Sequence, residues 1–470
     1  MKKLIALLLA LVMVFGMVAC TAEPAPEPAP DPAPAPEVEE PVEEPVEEPV
    51  EEPAEVVEIT YSYWGTPDEA ASVQEVADKY NEENPGVKVT VMAIPNEEYT
   101  SKLNTMAVAG ELPDCGIMNE NGVLDFAEKG LLADVSSMYE GADAMPLDCI
   151  TFKSEGTPVA YSAANEILLL YYNKDMFDAA GLEYPSATEP MTWDEFVETA
   201  KLLTLDANGN NANSADFDPN NIVQYGCTVD NWTWQLEVWA LSNGGRWFAE
   251  DGSACTINSA EVAESIQRVA DLYLVHHVSP YRAGLEDNGV QSTICTGTIA
   301  MSTGGAWNVG TCLNTARDDV GLNYGVARLP IMKEEVTICT GGPQVVFSQS
   351  EHQQEAMDFL KWYTKEENSW DSLIATGIWM PILEKYYTDP ELTSKWIDNP
   401  NFPDHDEYVG AVVDYAMESA VSTCWYYIPR TNEFLELLRG ALGDVWTGVT
   451  TAQDALDANF DALNAIFLGE

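Results

Sequence analysis

Val57-Glu58-Ile59-Thr60-Tyr61-Ser62-Tyr63-Trp64, broken at Gly65, and Val87-Lys88-Val89-Thr90-Val91-Met92-Ala93-Ile94 bracket the stretch that decides the fold. Both segments alternate and are rich in β-branched and aromatic residues, the pattern of strands with one buried face. Between them, Asp68 to Asn84 reads as a helix and stops at Pro85-Gly86, which cannot continue one. Strand, helix, strand in this order predicts a parallel pair of strands joined by a right-handed crossover. Outward from this unit the alternation continues. A helix is expected over 96–109, closed by Gly110, and a strand over 114–118. Helices are expected over 193–204, 260–275, 352–364 and 434–446. The fold class is therefore α/β.

Upstream of Val56 the chain reads as an address and a tether. Lys2 and Lys3 precede an apolar run, Leu4 to Val18, that is short for a membrane span and has the order of a secretion signal. The run ends in Met17-Val18-Ala19-Cys20, which resembles the lipobox at which bacterial lipoproteins are cleaved and acylated. Residues 1–20 are thus expected to be a lipoprotein signal peptide with Cys20 as the lipidated residue. From Thr21 to Glu58 there is no Lys or Arg, and Pro and Glu dominate. Such a segment buries too little apolar area to fold, and like charges stretch it. Residues 21–55 are expected to be a disordered stalk; at about 3.1 Å per residue as polyproline II, the whole acidic stretch reaches about 120 Å.

The chain has 470 residues, of which 46% are apolar, enough for two lobes beyond the stalk. Its formal charge is -57, from 78 acidic and 21 basic residues. That excess excludes a basic face for nucleic acid and disfavours docking on an anionic membrane surface. None of the nine cysteines forms a CxxC pair, so zinc and thioredoxin-type sites have no support. With Cys20 lipidated, eight remain, and their pairing is open.

Further segments carry a resemblance. They are Tyr99-Thr100-Ser101-Lys102-Leu103, Gly110-Glu111-Leu112-Pro113-Asp114 and Lys129-Gly130-Leu131-Leu132-Ala133-Asp134-Val135. Next come Tyr172-Asn173-Lys174-Asp175-Met176-Phe177, Ala180-Gly181-Leu182 and Thr192-Trp193-Asp194-Glu195-Phe196. Gly297-Thr298-Ile299-Ala300-Met301, Gly305-Ala306-Trp307 and Gly341-Gly342 complete the series. In order and spacing this resembles the extracellular solute-binding protein family that includes maltose-binding protein, from Ile59 to the C-terminus. The resemblance implies a two-lobed, type II periplasmic-binding-protein-like fold, each lobe a sheet flanked by helices with a hinge between them. One lobe is expected at about 56–165 and 343–390, the other at about 166–342 and 391–470. It implies capture of a small solute, a mono- or oligosaccharide, by a monomer that closes and delivers it to ABC-transporter permease subunits, without a cofactor.

Sugars present CH faces and hydroxyl edges, so their sites combine flat aromatic faces with planar polar groups. Trp64 ends the first strand, where ligands of open α/β sheets bind. Glu120 and Asn121 follow the 114–118 strand, and by the resemblance Asn121 takes the place of a ligand-contacting carboxylate. Asn121-Gly122 is also an ordinary turn signal. Glu166, six residues before Tyr172, matches a family carboxylate near the hinge, with Asn165 as the alternative. Trp307 matches the family's stacking platform, and Gly304 and Gly305 before it permit close backbone approach. Trp232 and Trp234 fall where the family has aromatic contacts, although packing on a helix over 237–241 competes. Gly341 and Gly342 fall at a lobe crossing. Trp379 and Trp425-Tyr426-Tyr427 read chiefly as core. Asp206, Asn208 and Asn210 resemble the start of a calcium loop, but Asn211 and Phe217 stand where Gly and Glu are needed.

Enzyme signatures are missing. His276, His277, His352 and His405 are the only histidines, none lies in HExxH, and neither GxSxG nor GxxxxGK[ST] occurs. Acidic pairs abound without a spacing that singles out a glycosidase dyad. Competing classes are a cell-surface carbohydrate adhesin, which the stalk suits equally, and a receptor for another polar solute such as a polyamine.

Overall fold

β1 (Val57–Trp64) and β2 (Val87–Ile94), joined by helix α1 (Pro67–Glu83), pair in parallel from Val57 opposite Val87 to Trp64 opposite Ile94. The computed structural model describes residues 56–64, 67–95, 98–141, 147–229, 232–250, 252–280, 294–370 and 374–469. The expected signal segment with Cys20, and the stalk 21–55, lie outside the described residues. Ile59 and Tyr61 of β1 point into the core, and the Tyr61 hydroxyl donates to Gln344 Oε1 at 2.9 Å. Helix α2 (Tyr99–Ala109) ends at Gly110, whose φ of 73° allows the closing turn that puts its N–H on the Ala107 carbonyl.

β3 (Cys115–Ile117) leads into α3 (Glu120–Glu128), so Asn121-Gly122 forms the first turn of a helix rather than a loop turn. Burial of Val123, Leu124 and Phe126 along one face of α3 outweighs the local turn preference of Asn-Gly. The resemblance motifs likewise have local physical reasons. Asn173 Oδ1 accepts from the Met176 N–H and caps helix Lys174–Ala180, which Gly181 closes. Thr192 and Glu195 form a reciprocal capping box at the start of helix Trp193–Leu203.

Five strands form the first sheet, in the order β2, β1, β3, Pro343–Val346, Tyr161–Ser162. The first three run parallel as expected, and Pro343–Val346, which returns from the second sheet, runs antiparallel between β3 and Tyr161–Ser162. That sheet orders Ala420–Ser422, Thr337–Thr340, Glu166–Asn173, Ile299–Gly305, Ile222–Thr228 and Leu205–Asp206, with Tyr324–Ala327 also paired to Glu166–Asn173. Both sheets are therefore mixed, with the expected parallel pairing in the opening unit. The chain passes between the sheets at 163–165 and 341–342, side by side, with the Ala163 N–H on the Gly342 carbonyl at 2.9 Å.

Two hydrophobic cores result, one around the first sheet and one around the second. Strand Glu166–Asn173 serves both: Ile167, Leu169 and Tyr171 join the first, and Leu168, Leu170 and Tyr172 the second. The two-residue period of a strand makes this sharing possible. The fold is a two-lobed α/β architecture. Cys295 and Cys312 form a disulfide, and Cys115, Cys149, Cys227, Cys255, Cys339 and Cys424 are free. No described helix is long and apolar enough to cross a membrane.

Candidate ligand-binding site

Strand ends from both sheets open onto one cleft of about 470 Å³. β1 delivers Trp64 from its carboxyl end, and the N-terminus of α3, just after β3, delivers Asn119, Glu120 and Asn121. Strand Ile299–Gly305 leads to Trp307, Thr337–Thr340 ends in Thr340 beside Gly342, and Glu166 opens the strand at the crossing. Trp232 and Trp234 enter just before helix Leu236–Ser242, and Trp379 and Trp425 come from the later chain. Of the eight principal candidates, the cleft gathers all but Gly341.

Six indoles dominate the walls. Trp64 meets Tyr99 edge-on at 5.7 Å between ring centroids. Trp234 lies 6.1 Å from Trp232 and 4.7 Å from Trp425, so the three form one continuous aromatic wall. Trp379 and Trp425, read from the sequence chiefly as core, do pack on the first core, Trp425 buried within it, and also line the cleft. Gly305 has a different task from the one expected. A side chain there would put its Cβ about 2.0 Å from Trp307 Cζ3, so the glycine makes room for the folded-back indole itself. At Gly304 the close neighbour is the Asn308 amide.

Two carboxyls line the floor. Glu120 is the first residue of α3, and the Gly341 N–H bonds to its carboxyl. Gly341 thus serves the site from behind, with its Cα packed so close to the Ala164 carbonyl that a Cβ would clash at 2.4 Å. Thr340 Oγ1 donates to Glu166 Oε2 at 3.0 Å. Burial pushes Glu120 up to about 7 against these hydrogen bonds. Burial, then the charge on Glu120, pushes Glu166 up to about 8. Among the described residues no Lys or Arg lines the cleft to offset them.

Other candidates fall elsewhere. Asn165 is fully buried, its amide on the Tyr387 hydroxyl at 2.8 Å, so Glu166 and not Asn165 reaches the cleft. Tyr426 stacks on Phe152 at 4.1 Å in the core. Tyr427 donates to Glu237, a buried carboxylate that also receives the Thr423 hydroxyl and the Cys424 N–H. Asp206 accepts the N–H groups of Asn208, Asn210 and Asp218. Burial alone would raise its pKa, but these bonds prevail and bring it down to about 2. The carboxylate therefore folds its own loop, and no described group of three or more His, Cys, Asp or Glu could hold a metal ion.

Asn119, Thr311, Thr340, Ile378 and Leu435 line the cleft without having been singled out. Thr340, adjacent to Gly341-Gly342, was within reach of the sequence. Leu435, on helix Thr431–Trp446, had no local signal at all.

A model of the bacterial extracellular solute-binding protein family matches residues 64–370, which include most of the cleft-lining positions. The chain belongs to that family. This solute-binding protein is 24% identical over 402 residues to the maltotriose-binding protein of Pyrococcus abyssi, covering 83% of this chain and 75% of that one. Among solved structures it superposes on an ABC substrate-binding protein from Listeria monocytogenes in complex with cycloalternan. The TM-score is 0.72 and the identity 24%, over 88% of this chain and 100% of that one. A Thermotoga lettingae solute-binding protein bound with alpha-D-tagatose gives a TM-score of 0.71 at 21% identity, over 87% of this chain and 100% of that one. The solute-binding protein thus shares the two-lobed fold of these neighbours and the extracytoplasmic setting of its family.

Proposed function

We propose that this solute-binding protein captures a mono- or oligosaccharide in the Trp307 cleft and delivers it to the permease of an ABC-type importer. One observation carries the reading. Six indoles, two carboxyls and the amides of Asn119 and Asn121 converge on one cleft whose walls come from both sheets. Indoles pack on the CH faces of a pyranose while carboxyls and amides take its hydroxyls. The saccharide ligands named for the maltotriose-binding relative and the cycloalternan- and tagatose-bound neighbours support the same class. The ligand is bound and released unchanged, by a monomer held at the outer face of the membrane through lipid on Cys20, with residues 21–55 as spacer. The lobes comprise about 56–165 with 343–390 and about 166–342 with 391–470, and they close on the ligand.

A thermal-shift screen with mono- and oligosaccharides tests the reading. A ligand at a hundred times its Kd adds about 2.7 kcal/mol of stability. A shift confined to one saccharide class supports it, whereas shifts with amino acids or polyamines alone refute the sugar. Release of product from a chromogenic glycoside would overturn binding without turnover. Loss of palmitate labelling in Cys20→Ser tests the anchor.

A further inference from the structure

Among the described residues, two acidic groups and no base line the cleft. Glu120 and Glu166 sit near enough for the charge on one to raise the pKa of the other, and each has a single neutral protein donor besides its own backbone, Gly341 N–H and Thr340 Oγ1. A carboxylate offers about four acceptor positions, so most remain open to a ligand. A neutral polyol fills them with hydroxyl donors but brings no positive charge to ionise the pair, and no cation stands among the described lining residues. The indoles around them present negative ring faces, which favour a cation further.

The geometry points to a saccharide with a protonated amine, an amino-sugar unit, as the preferred ligand, its ammonium held between Glu120 and Glu166 and its ring faces on the surrounding indoles. This deepens, and rests on, the carbohydrate reading given above. The amine neutralises the carboxyl pair with charge-assisted hydrogen bonds. The remaining polar positions suit a sugar rather than a bare polyamine. Asn119, Asn121 and Thr311 line the same cleft, and the Trp232 and Trp425 indole N–H groups are buried without a protein partner. The Asn and Thr groups serve hydroxyl and ring oxygens, which a polyamine lacks.

The test is calorimetric titration of the purified full-length protein, at pH 7 and low salt, with three matched oligosaccharides. One is built of glucosamine, one is its N-acetylated counterpart and one is the neutral glucose analogue. The amine form is expected to bind at least about tenfold tighter than the acetylated form, the scale of one desolvated cation–π or charge contact. The ratio is expected to fall towards one in Glu166→Gln, and in Glu120→Gln should the first variant not fold. Equal affinities, or a preference for the neutral sugar, overturn the amine assignment and leave the carbohydrate reading standing. Binding of spermidine with no saccharide binding at all overturns both. An amine preference that survives both substitutions overturns the assigned carboxyls.

Discussion

The side-chain amide of Asn121 donates to Asn432 Oδ1 at 3.0 Å, joining the first turn of α3 to helix Thr431–Trp446 across 311 positions of sequence. One helical turn further along, the Asp125 carboxylate accepts the backbone N–H of Arg430, which lies at φ 59°. These bonds tie the element that carries Glu120 to the opposite wall of the cleft. If the lobes part when the site empties, the bonds form only in the closed state and contribute to closure. Asn432→Ala should weaken ligand binding about two- to fivefold, the value of one partly exposed hydrogen bond, with little change in unfolding free energy. Titration calorimetry beside urea unfolding checks this; an unchanged Kd removes the latch.

Gly305 and Trp307 form a second testable pair. Gly305→Ala adds a methyl about 2.0 Å from Trp307 Cζ3, a separation that forces the indole to move. Affinity should fall about tenfold or more, close to the loss in Trp307→Ala, because a buried aromatic anchor at a site carries about 2 kcal/mol or more. Near-normal binding by Gly305→Ala would show that the indole position is immaterial.

Glu237 holds the loop that bears Trp425. Its carboxylate takes the Thr423 hydroxyl at 2.5 Å, the Cys424 N–H at 2.9 Å and the Tyr427 hydroxyl at 2.6 Å. Glu237→Ala leaves the Thr423 hydroxyl and the Cys424 N–H unpaired in the interior and should cost about 2 kcal/mol or more in urea unfolding. It should also weaken ligand binding, since Trp425 packs on Trp234 in the cleft wall. Full stability in the variant would mean that other acceptors replace the carboxylate.

The carboxyl pair makes a pH prediction. Folding raises Glu120 from 4.5 to about 7 and Glu166 from 4.5 to about 8, so the folded state favours the protonated forms. The stabilisation is therefore fully present below pH 4.5 and is lost as pH rises through 7 to 8. Between pH 5 and 8.5 the ligand-free wild type should lose on the order of 2 kcal/mol more than Glu120→Gln/Glu166→Gln, after allowance for solvent screening in the cleft. Comparison with this variant cancels the self-repulsion of a chain of net charge -57. Parallel pH profiles would show that the pair ionises freely.

Much of the site was legible because ligands of α/β folds gather at strand ends, and strand ends are marked by local pattern. Trp64 and Glu120 were read in this way, and Trp307 and Glu166 through the family resemblance, Glu166 by its spacing to Tyr172. Asn165 and Glu166 could not be separated by counting, since a slip of one residue in a strand exchanges the two faces. Trp379 and Trp425 read as core because indoles are mostly buried, and no local cue separates a core wall from a cleft wall.

The sequence by itself determined the α/β alternation, the helix over 193–204, the closing glycine at 110, and the acidic stalk pattern. These follow from backbone sterics, side-chain period and capping chemistry within a few residues. Tertiary structure alone decided that Asn121-Gly122 is helical and that the sheets are mixed. It alone joined Glu120 to Glu166 and brought Leu435 and Trp425 to a cleft begun at Trp64. Those outcomes depend on which faces dock across hundreds of residues, where burial of apolar area outweighs local preference.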